Sequence, residues 1–533
     1  MRRLSRRNLF RAASLLAAGG GAAHGRTFAA TDSGQRNDTA MKLRQNVAAA
    51  QHDQPIAAQV SNGDEAAFRR YTTAFTKGLP HDQNGEVDGA AYQTLLQAIS
   101  TGKHADFERI SRGSGRRFVS PQAAYAFHLE GSDSHRFACP PVPSFSTPTA
   151  AAEMAELYWQ SLCRDVPFAE YSTSPLIRQA AGDLAAIPAT VFRGPTPGDQ
   201  YGPYISQFLA KPIPCNSGLL DQRFRTPRPG ADFVNTYGEW LQIQTGVPPW
   251  REYVFDSTPR YIRSGRDLAE WVHYDFFYQA FLNASLILLN AGPESVLYDN
   301  RAVLAKTNPY RESKVQDGFV TFGTAEIVDW LGRVTTAAMK AAWAQKWLVH
   351  RRLRPEEFGG RVHQTKVKAM EYPVHPFLLD SPAVQAVYQQ NGSYLLPQAF
   401  PEGCPLHPAY PSGHAAVSGA CAVVLKALFD ESALIPNCVH AAPDGLSLMP
   451  CPESFVPTVG SEVNKLAFNV AMGRDWAGIH YRSDAVEGLR LGESVAISVL
   501  QDLVQTYSED FEGFSFTRFD GTPVKINRKG ELS

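Results

Sequence analysis

Five stretches in the second half of the chain, 268–289, 325–352, 414–428, 463–471 and 485–505, repeat apolar residues every three to four positions. That spacing lays an apolar stripe along a helix, and such a stripe has to be buried against another element. Strand-like alternation is scarce. The pattern predicts a mainly α protein built from helix bundles, with few short strands. Residues 321–515 read as the compact bundle and 516–533 as a C-terminal tail. Over 63–320, long Pro/Gly-rich loops alternate with shorter helical patterns such as 90–99 and 150–163. This N-terminal region reads as helices wrapped by loops.

Composition narrows the classes. Against 51 Lys+Arg stand 52 Asp+Glu, a net charge of −1, and 44% of the 533 residues are hydrophobic. Such a chain is neither disordered nor collagen-like, and it has no generic attraction for nucleic acid. Seven cysteines are too few for a disulfide scaffold. Neither CxxC nor CxxCH occurs, which argues against a zinc ribbon, a thioredoxin-like centre and c-type haem. Cys438 and Cys451 are close enough in sequence to bridge a loop, although a lone buried cysteine is the commoner state.

Residues 1–30 carry Arg2, Arg3, Arg6 and Arg7 ahead of a small-residue apolar run, with no acid before Asp32. That is the layout of an export signal. Ser5-Arg6-Arg7-Asn8-Leu9-Phe10 resembles the twin-arginine type, which implies a periplasmic or secreted protein. Residues 31–62, without a steady period, read as a linker or N-terminal arm. The most apolar stretch elsewhere, 276–291, contains Gln279, Asn283 and Asn290, so the mature protein is expected to be soluble, with no membrane span. Asp82, Asn84 and Gly85 fall at the third, fifth and sixth places of an EF-hand loop, but Pro80 and Ala91 occupy its first and last ligand places. An Asn-Gly turn is the favoured reading.

Three segments carry residue types that chemistry on a tetrahedral oxyanion needs. In Lys346-Trp347-Leu348-Val349-His350-Arg351-Arg352-Leu353-Arg354-Pro355, Lys346 supplies a point charge and Arg354 a planar fork for oxyanion oxygens. Pro355 disfavours helical geometry at Arg354, so the helix is expected to end there. In His407-Pro408-Ala409-Tyr410-Pro411-Ser412-Gly413-His414, Ser412 and Gly413 stand at a helix start, where a hydroxyl and free N–H groups meet an anion. His414 on the first turn is placed as a general acid or base. In Gly473-Arg474-Asp475-Trp476-Ala477-Gly478-Ile479-His480-Tyr481-Arg482-Ser483-Asp484, Arg474 adds a guanidinium and Gly478 a turn that can aim His480 inward. Asp484 can hold the other ring nitrogen of His480. Each segment alone has an ordinary explanation: a basic helix end, a Ser N-cap, a loop histidine. Together they outweigh it.

The order Lys346…Arg354-Pro355, Pro411-Ser412-Gly413-His414, Arg474…His480…Asp484 resembles the signature of the type 2 phosphatidic acid phosphatase and vanadium haloperoxidase superfamily. Seven residues separate Lys346 from Arg354 where six are usual, a departure that resembles the bromoperoxidase branch of red algae and cyanobacteria. The run continuing through Glu356-Glu357-Phe358-Gly359-Gly360 and the segment Phe75-Thr76-Lys77-Gly78-Leu79-Pro80-His81 are also similar to that branch. The resemblance implies a helical haloperoxidase-like fold and a vanadate cofactor, without haem. Lys346, Arg354, Arg474, Ser412 and the Gly413 N–H would hold the vanadate oxygens, and vanadium would bond a ring nitrogen of His480. His414 would bond the apical oxygen and manage protons, and Lys346 would polarise peroxide. The implied substrates are hydrogen peroxide and halide, with a small organic acceptor as a further partner. Homo-oligomers are common among the exported relatives.

Two residues bear on halide choice. Trp343, three positions before Lys346, should border the pocket and is similar to the residue found there in chloroperoxidases. His407 is similar to the second histidine of bromoperoxidases. Bromide and iodide are easier to oxidise than chloride, so bromide is expected and chloride is left open. The rival reading is an exported acid phosphatase with His480 as phosphoryl nucleophile. A catalytically silent secreted protein of the same fold has no positive feature in its favour.

Overall fold

The computed structural model describes residues 33–185, 202–289 and 303–533, so the export signal of residues 1–30 lies outside the described residues. The chain divides into two units, 1–53 and 54–533. In the first, α1 (Ser33–Asp53) is a helix with no buried residue. The expected linker is therefore partly helical. Gln35 to Gln54 contains neither Gly nor Pro and is dominated by good helix formers, but it carries no apolar stripe for periodicity to reveal.

The second unit is mainly helical, as the apolar spacing predicts. The helices that matter for the site are α2 (Gly89–Thr101), α3 (Pro148–Cys163), α4 (Gly265–Trp271), α5 (Gln279–Leu289), α6 (Thr324–Ala344), α7 (Pro355–Lys366), α8 (Gly413–Leu428), α9 (Val459–Trp476) and α10 (Arg482–Leu503). The described strands form three two-stranded antiparallel hairpins: β1–β2 (Ile213–Cys215, Gly218–Leu220), β3–β4 (Val439–Ala441, Leu448–Pro450) and β5–β6 (Gly513–Thr517, Pro523–Asn527). A disulfide joins Cys438 to Cys451.

Buried α8 lies at the centre, with α6, α9 and α10 packed on it. It meets α10 at very short range: a Cβ at Gly492 would stand 1.9 Å from the Ala416 carbonyl oxygen, and one at Gly419 would stand 2.1 Å from that of Leu489. Only glycine admits this approach. Its consequence is that the two helix N-termini meet, with the Ser412 N–H donating to the Asp484 carbonyl at 2.9 Å.

Two local expectations are corrected and one turn is found as read. The single helix read over 268–289 is broken into α4 and α5, because Tyr274 and Phe276, which sustain the apolar period, stand 70% and 79% exposed. The supposed tail is largely a packed hairpin: Phe514, Phe516, Val524 and Ile526 alternate inward, and Lys426 of α8 donates Nζ to the Thr517 carbonyl at 2.5 Å. Asp520-Gly521 supplies the turn whose signal marks such a hairpin. The EF-hand-like loop is an Asx turn, with Asp82 Oδ1 accepting the N–H groups of Asn84 and Glu86. No described helix is long and apolar enough to cross a membrane.

Candidate active site

The first segment leaves α6 through a π turn, Gln345–His350, that contains Lys346. A π turn takes up one residue more than an α turn, and the residue after it, Arg351, adopts a left-handed conformation at φ 38°. The helix thus ends four residues before Arg354, not at it. Arg354 is the extended residue preceding α7, with Pro355 at the first helical position, where its missing N–H costs nothing. Ser412 caps α8, its Oγ accepting the Ala415 N–H at 3.4 Å. Beyond α9, Gly478 at φ 81° turns the chain so that His480 points inward, 1% exposed.

The three segments converge. Arg354 Nη1 lies 3.1 Å from His480 Nε2, and Arg354 Nη2 lies 2.9 Å from His407 Nδ1. Lys346 Nζ donates to the carbonyls of Pro408 and Ala409 at 2.8 and 2.6 Å and lies 5.9 Å from the Trp343 ring. The Trp343 and His407 rings are 4.8 Å apart, so both halide-side candidates border the site. Trp343 also leaves little room beside Gly413, where a Cβ would come within 3.2 Å of its ring. Arg474 gives Nη1 to the Val272 carbonyl at 2.5 Å, while its buried Nε has no partner among the described residues.

The tautomer of His480 follows from its neighbours. A guanidinium can only donate, so Nε2 accepts from Arg354 and the ring proton sits on Nδ1, which donates to Asp484 Oδ2 at 2.8 Å. Asp484 also accepts from Arg352 Nη1 at 2.7 Å, and Arg352 in turn binds Glu153 at 2.8 Å. His480 is thereby held with a lone pair toward the cations.

Charge is the dominant feature. Lys346, Arg354 and Arg474 are buried, and among the described residues none forms an ion pair with a carboxylate. Burial pushes the Lys346 pKa well below its ordinary value, reinforced by Arg354, and burial brings Arg474 to about 10. Burial likewise lowers His480 and His407 far below the usual histidine value, with Arg354 the next contributor for each. Buried cations without counter-charge call for an anion.

One participant is absent from the sequence reading. Asp275, in the break between α4 and α5, lies 3.0 Å from His414 Nε2 through Oδ1. The same break supplies the Val272 carbonyl to Arg474. Asp275 lies inside the stretch 268–289 whose apolar spacing predicts a continuous helix, and Glu270 and His273 share that stretch, so the sequence does not single it out. Phe277 from this break packs 5.1 Å from the His414 ring, and His414 is 13% exposed at its side chain.

The comparisons bear on what this arrangement is. The family model for the VCPO second helical-bundle domain matches residues 331–509. A vanadium-dependent bromoperoxidase of Ascophyllum nodosum is 34% identical over 94% of both chains. The chain belongs to the vanadium-dependent haloperoxidase family. A Corallina officinalis vanadium-dependent bromoperoxidase is 32% identical over 88% of this chain and 95% of its own. The homohexameric second vanadate-dependent bromoperoxidase of Ascophyllum nodosum superposes with a TM-score of 0.87 at 28% identity, covering 98% of this chain and 96% of that one.

The residues of this haloperoxidase fit vanadate, the family's cofactor. An oxyanion needs donors, and the site offers three cationic side chains, an unpartnered Arg474 Nε and the N-terminus of α8. His480 Nε2, whose lone pair faces Arg354, is the imidazole nitrogen that would ligate its metal.

Proposed function

We propose that this chain oxidises bromide with hydrogen peroxide, H2O2 + Br⁻ + H⁺ → HOBr + H2O, in a vanadate-dependent reaction. The observation that carries the proposal is the convergence around His480 of three buried cationic side chains without carboxylate partners among the described residues, with Arg354 at its Nε2 lone pair. Lys346, Arg354, Arg474, Ser412 and the Gly413 N–H would hold the oxyanion, and His480, oriented by Asp484, would ligate the vanadium. Bound vanadium in its highest oxidation state supplies Lewis acidity toward peroxide and needs no electron-transfer partner. His414, steadied by Asp275, takes the peroxide proton and returns it to the leaving oxygen. Lys346 donates toward the peroxide, and Trp343 and His407 border the halide side.

Bromide is the preferred halide, with iodide accepted because it is easier to oxidise. The assembly we propose is a homo-oligomer, in line with the homohexameric relative. We also propose twin-arginine export to the periplasm or medium, on the strength of Arg6-Arg7 and the run behind them.

The test takes protein stripped of oxyanions into phosphate-free buffer, with and without vanadate. Bromination of a diketone and hydrolysis of a phosphate monoester are followed side by side. Vanadate-dependent bromination that His480→Ala abolishes is the expected result. Phosphate release inhibited by vanadate, without bromination, would overturn the proposal.

A further inference from the structure

The segment between α4 and α5 holds two groups of the site at once, Arg474 through the Val272 carbonyl and His414 through Asp275. Loops of this kind move unless something fixes them. Here the fixing group is His273. Its Nε2 lies 2.7 Å from Glu402 Oε1 and its Nδ1 3.4 Å from Glu270 Oε2. The ring stacks on Phe400 with centroids 3.6 Å apart and planes at 6°. Tyr253 donates to the same Glu270 oxygen, and the Tyr274 ring lies 4.0 Å away. Phe400 also lies under the Arg474 guanidinium, 5.7 Å from the ring centre. The Glu402 end is anchored too, since Lys77 Nζ and Arg116 Nη1 each donate to its carbonyl at 3.0 Å.

With a carboxylate at each ring nitrogen, a neutral imidazole would set a lone pair against negative charge, so the geometry calls for an imidazolium. Burial opposes that charge, but the bonds to Glu270 and Glu402 outweigh it and raise the His273 pKa above its ordinary value.

We infer that His273 is a positioning residue for the oxyanion site, pinning Val272–Asp275 against the Phe400–Glu402 loop so that Arg474 and His414 keep their places. It touches neither oxyanion nor halide and acts through those two side chains. The inference rests on the site binding vanadate, as proposed above.

The test compares wild type, His273→Gln and Glu402→Gln, each checked for folding by circular dichroism, by equilibrium dialysis with vanadate and separately with phosphate in otherwise oxyanion-free buffer. His273→Gln should bind vanadate about 10- to 100-fold more weakly, the usual loss when a supporting partner is removed. Glu402→Gln keeps an acceptor and should lose less, in the same direction. The ratio of variant to wild-type Kd should fall toward one as pH rises past the point where wild-type His273 loses its proton. Taking a ratio cancels the ionisation of vanadate itself. A folded His273→Gln with wild-type affinity and only a lowered unfolding temperature overturns the inference, as does a ratio that does not change with pH. Should His273→Gln not fold, Glu402→Gln decides by the same criteria. Wild type that binds phosphate but not vanadate would fail the proposed function while leaving the positioning comparison measurable with phosphate. Wild type that binds neither would remove both.

Discussion

Replacing Asp484 by asparagine tests whether the site is built around one tautomer of His480. The carboxylate accepts from His480 Nδ1 at 2.8 Å, from the Tyr481 N–H at 3.2 Å and from Arg352 Nη1 at 2.7 Å. Asparagine keeps the shape but has a single acceptor oxygen and an NH2 group. If the NH2 faces His480, it opposes Nδ1–H and drives the proton to Nε2, removing the lone pair that faces Arg354. If it faces Arg352, a buried guanidinium keeps Glu153 as its remaining ion-pair partner. A hydrogen bond to a charged group contributes about 1.5–3 kcal/mol, and the folded state should lose roughly that much, read by urea unfolding. Vanadate affinity should fall about 10- to 100-fold, or about 1.4–2.7 kcal/mol. Equilibrium dialysis in phosphate-free buffer, on protein shown to be folded, gives the affinity directly. A folded Asp484→Asn protein with wild-type vanadate affinity would refute the reasoning, because the ring orientation would then be set elsewhere.

Other perturbations separate scaffold from chemistry. Gly492→Ala places a Cβ 1.9 Å from the Ala416 carbonyl oxygen, and the helix shift it forces should cost about 1–3 kcal/mol in unfolding free energy. Vanadate affinity should weaken with it, since this crossing joins Ser412 to Asp484. His414→Ala should lower the bromination rate by about 10²–10⁴, while dialysis shows a smaller change in vanadate binding. Asp475 is buried with neither carboxyl oxygen hydrogen-bonded among the described residues, and burial, reinforced by Glu156, pushes its pKa well above the ordinary value. A raised carboxyl favours folding while protonated, so its contribution is whole below about pH 3.9, the unfolded value, and is lost as pH climbs toward the folded pKa. Urea unfolding across that range should show a slope of stability with pH that is more positive for Asp475→Asn than for wild type. Identical slopes would show that Asp475 does not carry its proton in the fold.

How far the sequence could be read depended on whether a feature was local. Helix α8 and its Ser412 cap announce themselves through a Ser-Gly start and an unbroken apolar run. The same holds for Asp484 beside His480, four residues apart across the start of α10. Asp275 did not, because its partner His414 lies 139 positions away and nothing local to the carboxylate shows that pairing. Helix α1 was missed for the opposite reason, since periodicity detects burial and this helix buries nothing. The C-terminal hairpin was legible in Asp520-Gly521 between two alternating runs, but its length is short beside the helices that dominate the pattern.

The electrostatics of His414 bear on which reaction the shared oxyanion geometry serves. Burial lowers its pKa, Asp275 opposes the fall, and Arg474 and Lys346 add to it, with a net displacement downward. In its neutral form the ring gives its Nε2 proton to Asp275 and keeps a lone pair on Nδ1. A phosphomonoesterase would need this residue charged before turnover, to protonate a departing alkoxide. A peroxidase needs it neutral first, to accept a proton from an incoming peroxide, and charged only afterwards. The same cationic side chains also draw halide inward, since Asp484 is committed to His480 and Asp275 to His414. A base held by Asp275 beside buried cationic side chains suits the capture of a peroxide proton and a halide ion.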